Sequence, residues 1–319
     1  GMLKVIDKKI NRAIFLKKTG RLSSYIKNYF KIHKLKKKSL EMDDRKYVEE
    51  MFFLKNGYRL NLDNPSSFND YIQILKLKWR NDLARICVDK FLVRNYLISL
   101  GLEDYLPKLY GVYDSFSQID FDTLPNSFVI KTNNDSGGVF IVQDKSKLNI
   151  KKADKLISRH MKSNGFSNIY KEWVYSGIKK KIIVEEYIKT ADGCAPKDYK
   201  FFCFDGEPKF LFVAANREKN VTFDFFNLEW NHMPVMNEHF NSKQPLHRPS
   251  NFDEMVELSR KLSANFPAVR IDLYSENNKI YFGEFTFFHF GGVSSFYPLD
   301  YDETFGKYFE GIMEKYNIK

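Results

Sequence analysis

The segment VRIDLYSENNKIYFGEFT, residues 269–286, says most about the fold. Val269, Ile271 and Leu273 alternate with Arg270, Asp272 and Tyr274, and after a polar break Ile280, Phe282, Glu284 and Thr286 share one face of a second strand, which predicts an antiparallel hairpin. If the turn holds an odd number of residues, Glu276-Asn277-Asn278, then Arg270 faces Glu284 and Asp272 lies diagonal to Glu284 on the same face. Two carboxylates so placed repel unless a cation sits between them, and such oxygen ligands suit Mg²⁺ held jointly with substrate phosphates. An exposed strand face with an Arg270 to Glu284 ion pair accounts for the same pattern.

Working outward, Tyr199 to Phe204 and Pro208 to Ala214 predict a second hairpin around Asp205-Gly206, a favoured two-residue turn. Between the hairpins, Asn251 to Phe266 reads as a helix with Met255, Leu258, Leu262 and Phe266 on one stripe and Asn251 with Glu254 placed as a capping box. Upstream, Ser127 to Ile130 ends in Lys131, runs through Asn133-Asn134-Asp135-Ser136-Gly137-Gly138, and resumes as Val139 to Val142, a strand, glycine loop, strand pattern. Lys131 there could set an ammonium beside glycine N–H groups near a phosphate, although the spacing is not that of a P-loop. Lys151 to Ser163 reads as a helix and Lys181 to Ile188 as a strand, whose closing Glu185-Glu186-Tyr187-Ile188 could read an adenine edge. Residues 41–100 are mostly helical, with one helix near Phe68 to Leu77 and another across Ile86 to Ile98. The class is mixed α+β in at least two lobes.

The 319 residues are 43% hydrophobic, with 30 Phe and 19 Tyr, too apolar for a disordered chain. No run approaches the roughly 20 apolar residues of a spanning helix, nor is there a cleavable leader, so a cytoplasmic protein is expected. Cys87, Cys194 and Cys203 lack metal spacing and read as buried thiols. Charge is uneven: of 51 Lys+Arg against 40 Asp+Glu, residues 1–38 hold 13 basic residues and one acid, Asp7. In that arm Leu3, Ile6, Ile10 and Ile14 recur at helical spacing among lysines. Two readings stand side by side: the arm lies on an anionic membrane surface at the inner face of the membrane, or it packs on the body through this stripe. Nucleic acid is not an expected partner, because no basic or aromatic platform continues into the body.

The order of these features resembles the ATP-grasp fold. FNDYIQILKLKW (68–79), VDKFLVRNYL (88–97), FVIKTNNDSGG (128–138), DYKFFCFDGEP (198–208), VRIDLY (269–274) and FGEFTF (282–287) resemble, more closely, its TupA-like branch of teichuronopeptide biosynthesis. The resemblance implies two α+β lobes enclosing a nucleotide site, preceded by a helical N-terminal region. It gives a basic arm over 1–40, helices over 41–127, a first lobe with the glycine loop over 128–188 and a second with the metal site over 189–319.

It also implies roles. Lys90 and Lys131 would hold the phosphates of ATP, with Ser136, Gly137 and Gly138 closing over them, while Glu185, Glu186 and Ile188 would form the adenine hinge. Asp272 and Glu284 would bind Mg²⁺, joined by Thr286 where many members have Asn, and Arg270 would face the γ-phosphate. Lys200 and Arg217 are further catalytic candidates. His289, Phe290, Gly291 and Gly292 either line an acceptor pocket or form a turn that packs aromatics. The implied activity is an ATP-dependent carboxylate-amine ligase working through an acyl phosphate in surface (capsular or cell-wall) polysaccharide assembly, with small-molecule or glycan carboxylate and amine substrates. A glycosyltransferase or phosphotransferase of the same pathway, or a non-catalytic nucleotide-binding module, are the alternatives.

Overall fold

The structure is a computed structural model that describes residues 2–134, 136–163, 167–217 and 220–319. Asp135 of the glycine loop and the side chains of Leu3 and Ile6, named above, lie outside the described residues. The chain begins with α1 (Met2–Lys18), α2 (Leu22–Lys37) and α3 (Asp44–Asn56), the last started by Asp43, which accepts from the Lys46 N–H, and ended by left-handed Gly57. In α4 (Phe68–Lys78) Ser67 and Asp70 form a capping box.

The single helix expected over Ile86 to Ile98 is two, α5 (Asp82–Val88) and α6 (Val93–Ser99). Asp89 divides them, because its Oδ1 accepts from the N–H groups of Phe91 and Leu92 (2.8 and 3.2 Å) and starts a new helix. Lys90 is thereby left at the break.

A smaller antiparallel sheet joins β1 (Leu109–Tyr113), β2 (Phe128–Thr132), β3 (Val139–Val142) and β4 (Ile182–Glu185) in the order β1-β4-β2-β3. Helix α7 (Ile150–Lys162) buries Ala153 and Ile157 against it. Because β1 precedes residue 128, a boundary there cuts the sheet, and 41–127 is not purely helical. The last strand is shorter than the expected Lys181 to Ile188. After α8 (Ser167–Tyr170) comes the larger antiparallel sheet, formed by β5 (Asp198–Phe204), β6 (Glu207–Ala215), β7 (Thr222–Asn227), β8 (His232–Met233), β9 (Ala268–Glu276) and β10 (Lys279–Thr286). Its order is β10-β9-β5-β6-β7-β8.

One face of the larger sheet packs on α9 (Phe252–Ser263) through the stripe expected for that helix. Asn251 does not cap α9 with its side chain, because that amide exchanges hydrogen bonds with Ser275 instead (2.9 and 3.0 Å). On the opposite face Phe202, Phe210 and Phe305 stack face to face (4.4 and 3.9 Å between ring centres), which brings α10 (Asp300–Gly306) onto the sheet. Phe68 of α4 meets Phe202 edge-on, and α11 (Ile312–Lys315) closes the chain. Each such ring contributes about 1.5–3 kcal/mol by burial. The aromatics cover only part of this face and leave the β9-β10 end to polar groups.

The arm packs on the body, though not through Ile10 and Ile14. Phe15, Leu16, Ile32 and Leu35 are buried, with Phe15 against Phe240, while Ile10 and Ile14 are 51% and 46% exposed. Cys87 and Cys203 are buried as expected, but Cys194 is exposed. Among the described residues no helix is long and apolar enough to cross a membrane.

Candidate functional site

The β9-β10 turn is the two-residue Asn277-Asn278, both left-handed (φ 49° and 61°), not three residues, and Lys279 pairs with Glu276. Continued without interruption, this register would send Glu284 to the face opposite Asp272. A bulge between Phe282 and Glu284 shifts it by one, so Glu284 stands directly across from Asp272, and Thr286 from Arg270. The extra residue is Gly283, where a Cβ would lie 2.8 Å from the Asp272 carbonyl oxygen. The two carboxylates do share a face, by a bulge rather than an odd turn.

The next strand continues the row, because Lys200 pairs with Asp272 and Asp198 with Tyr274. The result is a line of alternating charge. Glu284 lies 3.7 Å from Arg270. Arg270 donates to both oxygens of Asp272 through Nε (2.7 Å) and Nη2 (2.8 Å). Lys200 bridges Asp272 (2.5 Å) and Asp198 (2.6 Å), and Arg217 ends the line 3.8 Å from Asp198. Burial alone would raise the Asp272 carboxyl, yet Arg270 and Lys200 outweigh it and hold the group well below the usual carboxylate range. Burial likewise works against the Arg270 charge, and Asp272 more than offsets it. The centre of the line is tight and buried, and its ends are looser and wetter. Asp272 is therefore not an unpaired carboxylate, and its main partner is Arg270, whereas the expected Arg270 to Glu284 pair is the loose one.

His289 lies beneath this line. Its Nδ1 accepts from Arg270 Nη1 (2.7 Å), so the proton sits on Nε2, which donates to Asn237 Oδ1 (2.8 Å). Asn237 in turn donates to the Ser295 carbonyl (3.0 Å). Burial first, and then the adjacent Arg270 charge, push the imidazole well below its ordinary pKa, so it is neutral. His289 is thus a support for Arg270, and it borders neither of the two spaces described next.

A cleft of about 380 Å³ opens over the Glu284 end. It brings together Lys90, Ser136, Arg270, Glu284 and Thr286 of the anticipated residues, with Phe290 and Gly291 beside them. Its opposite wall is one the sequence did not suggest: Arg12 of α1, Arg21 and Tyr25 at the start of α2, and Lys55 of α3. A narrower space of about 20 Å³ between the two sheets is lined by Lys90, Lys131, Arg94, Glu185 and Gly283. There Glu185 is clamped by Lys131 and by Arg94 (3.3 Å), the latter not anticipated. Lys90 borders both spaces. Gly137, Gly138, Glu186, Ile188, Lys200, Arg217 and Asp272 border neither. Glu186 also cannot offer a free N–H to a base, because it donates to the Lys108 carbonyl (2.8 Å).

Among the described residues no group of three or more His, Cys, Asp or Glu could cage a metal. The donor set that exists, Glu284 with Asp272 across the strand and the Thr286 hydroxyl, matches the one or two carboxylates with which proteins share Mg²⁺ with phosphates. Glu284 is the more available donor, since both oxygens of Asp272 already accept from cations.

No curated protein matches the chain. Among solved structures it is similar to D-alanine–D-alanine ligase from Bacillus anthracis complexed with ATP (19% identity, 63% of this chain and 53% of that one, TM-score 0.36) and to the same ligase in another structure (19%, 72% and 65%, TM-score 0.40). The ligase from Helicobacter pylori is also similar (15%, 63% and 54%, TM-score 0.35). The chain spans between about half and two thirds of the length of these ligases. The family model described as TupA-like ATPgrasp matches residues 70–310, most of the chain and every strand of the larger sheet, and by that match the chain belongs to the TupA-like ATP-grasp family.

Proposed function

We propose that the chain is an ATP-dependent carboxylate-amine ligase that makes an amide through an acyl phosphate, in the cytoplasm, for surface (capsular or cell-wall) polysaccharide assembly. The observation that carries this reading is the position of Lys90, which borders both the inter-sheet space and the larger cleft. Phosphates held by Lys131 and Lys90 between the sheets would reach the cleft where Arg270, Glu284 and Thr286 stand. A carboxylate oxygen would attack the γ-phosphorus as its bond to the ADP oxygen breaks, and an amine would then displace phosphate from the acyl carbon and lose a proton. Arg270 would stabilise charge on the transferring group, its orientation fixed by Asp272 and His289. Mg²⁺ on Glu284 and Asp272 would neutralise phosphate charge. Lys131 must leave Glu185 for a phosphate, and Arg94 keeps that carboxylate paired when it does.

The test is phosphate release from ATP against pairs of carboxylates and amines. A ligase releases phosphate only when both are present. Turnover of a sugar nucleotide points instead to a glycosyltransferase, phosphate transfer to a single acceptor to a phosphotransferase, and ATP binding without turnover to a binding module. In parallel, Lys131→Ala is expected to weaken ATP binding in calorimetry at least tenfold, and unchanged affinity removes Lys131 from the phosphate site.

A second reading concerns the arm, and the outward face of its helices favours it. Ile26, Tyr29 and Phe30 of α2 are exposed with Ile10 and Ile14, among exposed Lys9, Lys17, Lys27, Lys31 and Lys34. Apolar groups set among lysines suit an anionic lipid surface, where each Lys or Arg adds about 1 kcal/mol. Cosedimentation with phosphatidylserine vesicles should be lost on Ile26→Ser with Phe30→Ser. A protein that ignores such vesicles at low salt does not use this face on membranes.

A further inference from the structure

The wall of the larger cleft built from α1, α2 and α3 carries more positive charge than the described residues neutralise. Arg21 is 7% exposed, and its Nη2 is used up on the Lys55 carbonyl (2.9 Å) and Asn56 Oδ1 (3.1 Å). Its Nε and Nη1 have no hydrogen-bond partner among the described residues. A buried guanidinium normally fills its donors, so two empty ones beside a cleft mark a place for an acceptor. Arg12 and Lys55 border the same cleft, and of the three acids that line it, Glu172, Glu238 and Glu284, it is Glu238 that pairs with Arg12 and lies 3.9 Å from Arg21 Nη1. Glu238 is itself partly satisfied by the Ser294 hydroxyl (2.5 Å). Burial, and then the charges of Lys36, Arg12 and Arg21, push the Lys55 ammonium down to about 7, as expected for a cation short of a counter-ion.

We propose that Arg21, Arg12 and Lys55 form an oxyanion subsite that holds a carboxylate or phosphate group of the second substrate, across the cleft from Arg270 and Glu284. This rests on the ligase reading only for the word substrate. The subsite itself is a matter of charge and unfilled donors, and its residues all precede the region matched to the family. The rings of Tyr25 and Tyr170 border the cleft beside these cations, so the group held there belongs to a molecule with an apolar or sugar-like face.

The experiment is calorimetric titration of the full chain with malonate and, separately, inorganic phosphate, each with and without Mg-ATP. Parent protein is expected to bind at least one of the two, and whichever binds more tightly identifies the chemistry of the group. Lys55→Met and Arg12→Gln should each weaken that binding about tenfold, the loss of one charged hydrogen bond, while leaving ATP affinity unchanged. Arg21→Lys, which keeps the charge but loses the fork, should weaken it further, and Lys55→Met keeps the test open if that variant does not fold. Anion binding equal in Lys55→Met, Arg12→Gln and parent overturns the subsite. Variant-sensitive anion binding in a protein that ignores ATP keeps the subsite and overturns the ligase reading.

Discussion

The two walls of the cleft carry similar charges and treat them in opposite ways. On the sheet side only Glu284 and Arg270 border the cleft, and the row behind them, Asp272, Lys200, Asp198 and Arg217, continues the alternation in sign with its inner members hydrogen-bonded at 2.5 to 2.8 Å. On the helical wall Arg12 and Arg21 share Glu238, Lys55 has the Tyr170 hydroxyl, and Arg21 Nε and Nη1 have no hydrogen-bond partner among the described residues. The donors of Arg270 are filled by Asp272, His289 and Thr286, which hold it in one orientation before any ligand arrives. A wall short of acceptors is completed by what binds to it. The difference separates a surface suited to stabilising developing charge from one suited to selecting a molecule.

The largest effect should come from breaking the compensated line. Asp272→Asn leaves Arg270 and Lys200 buried and adjacent with no acid between them, and should cost about 3–5 kcal/mol of stability in urea unfolding. This reverses what two unpaired, mutually repelling carboxylates would do, and a variant as stable as the parent would show that the line contributes nothing. Next comes the helical wall. Lys55 faces Tyr170, whose hydroxyl is 3.1 Å from its Nζ, together with Arg12, Arg21 and Lys36. Its folded pKa, about 7, lies below the unfolded value, so the unfolded chain binds the extra proton between those values and this group destabilises the fold increasingly as pH falls toward 7. Lys55→Met should therefore raise the melting temperature at pH 7, with the gain fading toward pH 10, and a gain equal at both ends would mean that Lys55 is not desolvated. Smallest is Glu284→Gln, at the loose end of the line and half-exposed. It should change stability by less than about 1 kcal/mol yet abolish Mg²⁺-dependent turnover, and retained turnover would take the metal away from Glu284.

The sheet wall was far more legible in the sequence than the helical one. Alternation along residues 269–286 encodes strands, and side chains two apart share a face within each regular run, though not across the bulge, where Phe282 and Glu284 lie on opposite faces. That locality groups Arg270 with Asp272 and Glu284 with Thr286, and the bulge, rather than the three-residue turn expected, puts the two pairs on one face. The bulge depends on where Gly283 can approach the Asp272 backbone, a contact between strands that no periodicity records. Arg12 meets Glu238 across more than two hundred residues, and Arg94 meets Glu185 across 91. Pairings of that range are set by how lobes and helices pack. In α1 the pattern misled: Ile10 and Ile14 point outward, and Phe15 and Leu16, adjacent in sequence, make the anchor.

The bulge at Gly283 also makes the hairpin indifferent to one kind of length change. With Gly283 removed, Glu284 would follow Phe282 directly and still arrive opposite Asp272, as the next residue of a regular strand. One residue removed between Lys279 and Phe282 has no such refuge, because it alters the distance from the turn to the pairing that the turn itself fixes. Insertions and deletions therefore fall into two groups within a few residues of each other, those the hairpin absorbs and those that turn its inner face outward. A deletion scan along β10 would trace that border one residue at a time.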